Sequence, residues 1–168
     1  IYAEVVELYK RYSMTEFFII DDTFTLRPER TKEFCDLICS FQEDTNINFS
    51  WGCESRADVV KEELLVKMKT AGCRMIQFGM ESGNDEILKT INKHITFQQV
   101  YNAVKIASKY HINTNVSIML GHHKDTCDTI EETLKKAKLL QDKFGSNILF
   151  AINTPYPGTE LRKNLEEY

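Results

Sequence analysis

The residues of this chain best placed to do chemistry lie in the run Gly79-Met80-Glu81-Ser82-Gly83. A short apolar stretch, residues 75–80, ends in a carboxylate and a hydroxyl flanked by glycines, and a helical pattern begins at once. That order puts polar groups at the carboxyl end of a strand, where parallel α/β proteins bind their ligands. Four other apolar runs end in the same way: in Asp21-Asp22-Thr23, Glu54-Ser55-Arg56, Gly121-His122-His123 and Asn153-Thr154-Pro155-Tyr156. One polar terminus alone would be read as a helix cap, since caps also favour Asp, Ser and Thr. Five on one edge of a sheet make a site. The histidine pair, with Asp21, Asp22 and Glu54, also offers the residue types that hold a metal on adjacent barrel strands.

Each of these residues has a plainer reading beside the functional one. Asp21-Asp22 serves equally as a turn and cap, and Glu81 as a carboxylate bonded to backbone amides. Lys93 by itself is a solvated lysine. Arg56 can pair with Asp58 or Glu54 at the surface, where such a pair contributes little. Tyr156, bracketed by Pro155 and Pro157, is either a substrate wall or part of a rigid turn.

The elements that must position these residues alternate along the whole chain. Helical patterns at residues 1–13, 28–42, 61–69, 85–91, 97–110 and 129–143 separate apolar runs at 17–20, 48–53, 75–80, 115–120 and 147–152, and a last helix occupies 159–168. Pro28 opens its helix, Thr96 caps another, and Ala71-Gly72 stops a third. Strict β-α alternation implies a parallel sheet with right-handed crossovers. A strand about every 30 residues fits barrel units, but a closed eight-unit barrel takes about 250 residues. The 168 residues therefore predict a single α/β domain over 1–168, an arc of about five strands of a (β/α) TIM-type barrel with outer helices. Ile1 opens mid-helix without a cap, so the chain reads as a piece of a longer protein whose missing strand or strands precede it.

The totals exclude several classes. A net charge of −4, from 21 Lys and Arg against 25 Asp and Glu, leaves no basic footprint for nucleic-acid phosphates. No apolar run approaches the roughly 20 residues that span a bilayer. Five cysteines, an odd number with no secretory mark, fit reduced thiols in a cytoplasm.

The set IIDDTF, WGCESRAD, FGMESGNDEILKTINK, SIMLG and NTPYPGTEL resembles the radical S-adenosylmethionine (SAM) superfamily across essentially the whole chain. Within it, the set is most similar to the Fe-S oxidoreductase branch that often carries an upstream cobalamin-binding domain. The resemblance implies a partial barrel that binds SAM above a [4Fe–4S] cluster. It places Glu81 and Ser82 near the ribose and methionine parts of SAM. It sets Lys93 against the cofactor carboxylate, as a looser partner than an Arg would be. It puts Ser117 at the ribose, Gly121 at the adenine, and Glu54 and Arg56 at the amino and carboxylate groups. A zwitterionic methionine needs both charge signs, and a ribose needs paired hydrogen-bonding groups. Asp21, Asp22 and Tyr156 are then substrate-side candidates.

The family's Cys-x-x-x-Cys-x-x-Cys motif is absent. Cys35 and Cys39 have its first spacing, but Gln42 stands where the third cysteine belongs, and the run lies mid-helix. These two read as packed thiols, and the cluster ligands are expected before Ile1, with no metal held by this chain. The implied parent cleaves SAM reductively to a 5′-deoxyadenosyl radical, fed by a flavodoxin or ferredoxin, with cobalamin-linked methyl transfer where that cofactor is present. This chain alone would lack the activity. The alternatives are a metal-dependent barrel hydrolase or lyase using Asp21, Glu54, His122 and His123, or a non-catalytic binding barrel.

Overall fold

A computed structural model describes residues 1–163. The end of the last expected helix, residues 164–168, lies outside the described residues. Five strands run in the order β1 (Glu16–Ile19), β2 (Ser50–Ser55), β3 (Cys73–Glu81), β4 (Asn113–Leu120) and β5 (Asn147–Ile152). Each pairs with the next, and every pairing is parallel. Helices α1 (Tyr2–Tyr12), α2 (Pro28–Thr45), α3 (Glu62–Thr70), α4 (Asp85–Thr90), α5 (Phe97–Lys109), α6 (Cys127–Phe144) and α7 (Glu160–Lys163) complete the alternation. The sheet is open, with β1 and β5 at its edges. No helix among the described residues is long and apolar enough to cross a membrane.

Several boundaries differ from the sequence pattern, β2 (50–55 against 48–53), the start of β4 and the end of α2 among them, and two have identifiable reasons. Gly72 adopts φ +97° and turns the chain straight out of α3, so β3 begins at Cys73, not Met75. Thr126 and Thr129 form a reciprocal capping box, so Thr126 is the cap of α6 and Thr129 already lies within the helix.

Alternation along the strands separates two faces. Cys73, Ile76, Phe78 and Met80 of β3 and Thr114, Val116 and Ile118 of β4 are buried in the layer under the helices. The other face is polar. Glu54, Gln77, Asn115 and Asn147 sit side by side in register across four strands. Gln77 donates to Glu54 Oε1 at 3.2 Å, and Asn147 donates to Asn115 Oδ1 at 3.1 Å. Parallel sheets are usually apolar on both faces, so this row marks the face turned toward water or a ligand.

Trp51 anchors the helix-side core, not the polar face. It is 2% exposed, its ring meets Phe24 and Phe34 edge-on at 5.8 and 5.5 Å, and its Nε1–H donates to Ala71 O at 2.8 Å. Cys35, Cys53 and Cys73 are fully buried thiols, and burial pushes the Cys35 thiol up to about 12. Only the thiolate reacts. Ellman's reagent is therefore expected to label the exposed Cys127 in the native protein and to reach Cys35, Cys53 and Cys73 only on unfolding. Native-state labelling of any of those three would contradict this packing.

Candidate functional site

The polar face deepens at the carboxyl ends of β2, β3 and β4 into a cavity of about 250 Å³. Glu54, Ser55 and Arg56 line it from β2 and the loop beyond, Gln77, Gly79 and Glu81 from β3, and Ser117 from β4. Asp22 closes the rim, and Lys93 completes the lining.

The centre of the cavity is an ion pair. Lys93 Nζ lies 2.9 Å from Glu81 Oε1, with each side chain about three-quarters buried. Both residues reach it through unusual backbone. The register between β3 and β4 slips at Gly79/Glu81, and Glu81 itself takes φ +64°. This left-handed conformation is costly for a residue with a side chain and concentrates at functional sites. Ser82 N–H closes the turn on Met80 O at 2.9 Å. Lys93 follows short α4 after Asn92, itself at φ +54°, and its N–H bonds Leu88 O at 3.0 Å.

Gly79 makes the pair possible. A Cβ there would stand 2.6 Å from Glu81 Oε1 and 3.0 Å from Lys93 Nζ. The two charged side chains lie where any other residue would put its own. Gly79→Ala is thus expected to part the pair with little loss of stability, because the obstructed atoms are the ends of flexible side chains. The check is a thermal melt within a few degrees of wild type alongside a reorganised cavity; an unchanged Glu81–Lys93 separation in the variant's crystal structure would refute it.

Arg56 lines the cavity, but its fork is engaged. Nε and Nη2 each donate to Asp58 at 3.0 Å, and Nη2 also reaches Lys93 O at 3.3 Å. The guanidinium holds the Asp58 carboxyl below its ordinary range, and Arg56 is raised in return. Arg56 thereby ties the β2 loop to the Lys93 segment and brings little free charge. Ser117 Oγ donates to Phe78 O at 3.5 Å, a weak bond that leaves the hydroxyl available.

Five of the residues predicted to hold a cofactor thus meet here: Glu54, Arg56, Glu81, Lys93 and Ser117. Two do not. Ser82 is 2% exposed, with its hydroxyl turned away against Thr133 of α6. Gly121, at φ +82°, borders a separate hollow with His122, His123 and Asp125. Of the substrate-side candidates, Asp22 reaches the cavity rim, Asp21 is paired with Arg30 at 2.7 Å, and the Tyr156 side chain is 68% exposed beyond β5. Gln77 was missed by the sequence reading, which named Gly79 only as a flanking glycine and Asp58 only as a surface partner of Arg56. Period-two alternation back from Glu81 would have found Gln77.

The metal arrangement considered from sequence is not assembled. Asp21 faces Arg30, Glu54 faces Gln77, and the histidines lie at the separate hollow. Among the described residues no three His, Cys, Asp or Glu side chains are grouped to hold a metal ion. The same observation means that the described cysteines do not fit a [4Fe–4S] cluster.

A family model described as the radical SAM superfamily matches residues 1–137. The chain belongs to the radical SAM superfamily. That family uses SAM and a [4Fe–4S] cluster. This radical SAM chain is 35% identical over 94% of its length to an uncharacterized methyltransferase of Pyrococcus horikoshii, covering 33% of that protein. It is 25% identical over 96% of its length to the anaerobic magnesium-protoporphyrin IX monomethyl ester cyclase of Rubrivivax gelatinosus, covering 28% of it. The chain thus spans about a third of these relatives. In fold it is similar to the radical SAM methyltransferase TsrM of Kitasatospora setae, solved with cobalamin and a [4Fe–4S] cluster bound. The TM-score is 0.77 at 18% identity, over 93% of this chain and 32% of that one. The expected α/β arc of a TIM-type barrel is therefore the observed fold.

Proposed function

We propose that the cavity under Glu81 and Lys93 is the SAM site of a longer radical SAM enzyme. The observation that carries this is the opposed charge pair lying over Gly79, beside the Ser117 hydroxyl. The methionine end of SAM carries an ammonium and a carboxylate, and Glu81 and Lys93 offer one partner to each. Gly79 supplies the space a side chain would fill. Ser117 offers a hydroxyl for the ribose, and Glu54 lines the cavity as a further acceptor for the ammonium. Arg56, locked to Asp58, holds the Lys93 segment in place.

Methyl transfer is the reaction class proposed for the whole protein, with cobalamin supplied by another part of it. Support comes from the Pyrococcus relative, named a methyltransferase, and from TsrM, a methyltransferase with cobalamin bound. Reductive cleavage of SAM to a 5′-deoxyadenosyl radical is proposed for that whole protein, with a flavodoxin or ferredoxin as donor. The described cysteines offer the cluster no ligand set, so no step of that chemistry is assigned to this chain, and the cluster ligands are placed outside it. Asp22, at the cavity rim, is the remaining substrate-side candidate.

Calorimetric titration of the chain with SAM tests the assignment. One saturable site, competed by S-adenosylhomocysteine and blocked in Glu81→Gln, is the expected result. Binding that survives Glu81→Gln unchanged, or no binding at millimolar SAM, would place the cofactor elsewhere.

A further inference from the structure

Glu81 holds a backbone conformation that its own side chain disfavours, so the surroundings must enforce it. The enforcing contacts come from α6, which contributes no residue to the cavity. Three consecutive residues after Glu81 are gripped by one face of that helix. Thr133 Oγ1 accepts from Gly83 N–H at 2.9 Å, lies 3.2 Å from Ser82 Oγ, and donates to Thr129 O at 2.9 Å. With its single hydrogen committed to Thr129 O, Thr133 must accept from Ser82. Ser82 Oγ in turn accepts from Asn84 N–H at 3.1 Å. Every donor in this buried chain is matched to an acceptor.

Two further contacts complete the grip. Lys136 Nζ donates to Gly83 O at 2.7 Å and pairs with Glu132 at 2.6 Å. Glu132 Oε2 accepts from Asn84 Nδ2 at 2.6 Å, while Asn84 Oδ1 caps α4 by accepting from Glu86 and Ile87 N–H. Gly83 permits the approach, since a Cβ there would stand 2.7 Å from the Cα of Thr133. The helix thus reaches toward both members of the ion pair: to Glu81 through the turn that follows it, and to Lys93 through α4, whose N-cap Asn84 it anchors.

We infer that Thr133, supported by Glu132 and Lys136, is a positioning residue that sets the Glu81–Lys93 geometry from outside the site. The inference rests on reading that cavity as the SAM site.

The test compares Thr133→Val, Thr133→Ser and Leu140→Ala in the same chain. Leu140 is fully buried lower on α6, and its truncation destabilises the helix without touching the turn. At a temperature where all are folded, Thr133→Val is expected to weaken SAM binding about tenfold, while Thr133→Ser and Leu140→Ala stay within about twofold. Lys136→Met, with the Gly83 carbonyl bond removed, serves if Thr133→Val does not fold, and should weaken binding about fivefold. Unchanged affinity in Thr133→Val, or an equal loss in Leu140→Ala, would overturn the inference. If wild type itself binds no SAM, the function reading fails separately. Amide exchange then decides positioning without ligand: Ser82 N–H, which closes the Glu81 turn, must exchange faster in Thr133→Val and not in Thr133→Ser or Leu140→Ala. Equal Ser82 protection in all of them would overturn it.

Discussion

Lys93→Met is expected to lower SAM affinity by about 30- to 150-fold, the equivalent of about 2–3 kcal/mol for a charge-assisted contact removed from a partly enclosed site. Two costs combine. The SAM carboxylate loses its cation, and Glu81 loses the counter-charge 2.9 Å away that balances it beside that carboxylate. No neighbour can substitute, because the Arg56 fork is committed to Asp58. Lys93→Arg should retain affinity within about fivefold, since a guanidinium can hold both carboxylates. Global stability should fall by no more than about 1 kcal/mol in either variant, because the desolvation cost of a largely buried pair offsets much of its attraction. Titration calorimetry and urea denaturation read the two quantities separately. Wild-type affinity in Lys93→Met would remove the lysine from the site. A large loss of stability would make it a structural residue.

The way these residues converge shows what a sequence carries and what it does not. The five strands were legible because each is an apolar run between helical patterns, and parallel pairing followed from the alternation. Lys93 was legible only through its spacing from Glu81, and the structure supplies the reason. Helix α4 is a short, capped element, and Asn92 in the left-handed region turns the chain back toward the strand it left. Adjacency to Glu81 says nothing of direction, and Ser82 lies outside the cavity. At a residue with φ +64° the strand's alternation breaks, and the following hydroxyl swings under α6. Thr133, fifty residues from the turn it holds, left no local signal at all. Gly121 looked like part of the same site because it ends the neighbouring strand. Its amide and that of His122 instead bond Asp125 Oδ2 at 3.0 and 2.9 Å, which folds that loop upon itself.

The same two-faced construction predicts that fold and site can be separated by mutation within one strand. Trp51 and Glu54 are three residues apart on β2 and therefore point to opposite faces. Trp51→Ala is expected to cost about 3–5 kcal/mol, the range for truncating a buried aromatic. The rings of Phe24 and Phe34 lose their edge-on partner, and the Ala71 carbonyl loses its indole donor. Trp51→Phe keeps an aromatic face against both phenylalanines and should cost markedly less, with the lost Nε1 bond contributing about 1 kcal/mol. Urea midpoints order the three proteins. SAM affinity of the folded fraction, taken well below each midpoint, should match wild type in both variants, because the polar row from Glu54 to Asn147 is built on the opposite face. An unchanged midpoint in Trp51→Ala would mean that the core does not rest on this ring. A folded Trp51→Ala that no longer binds SAM would mean that the helix layer shapes the cavity through the sheet, and that the two faces are mechanically one.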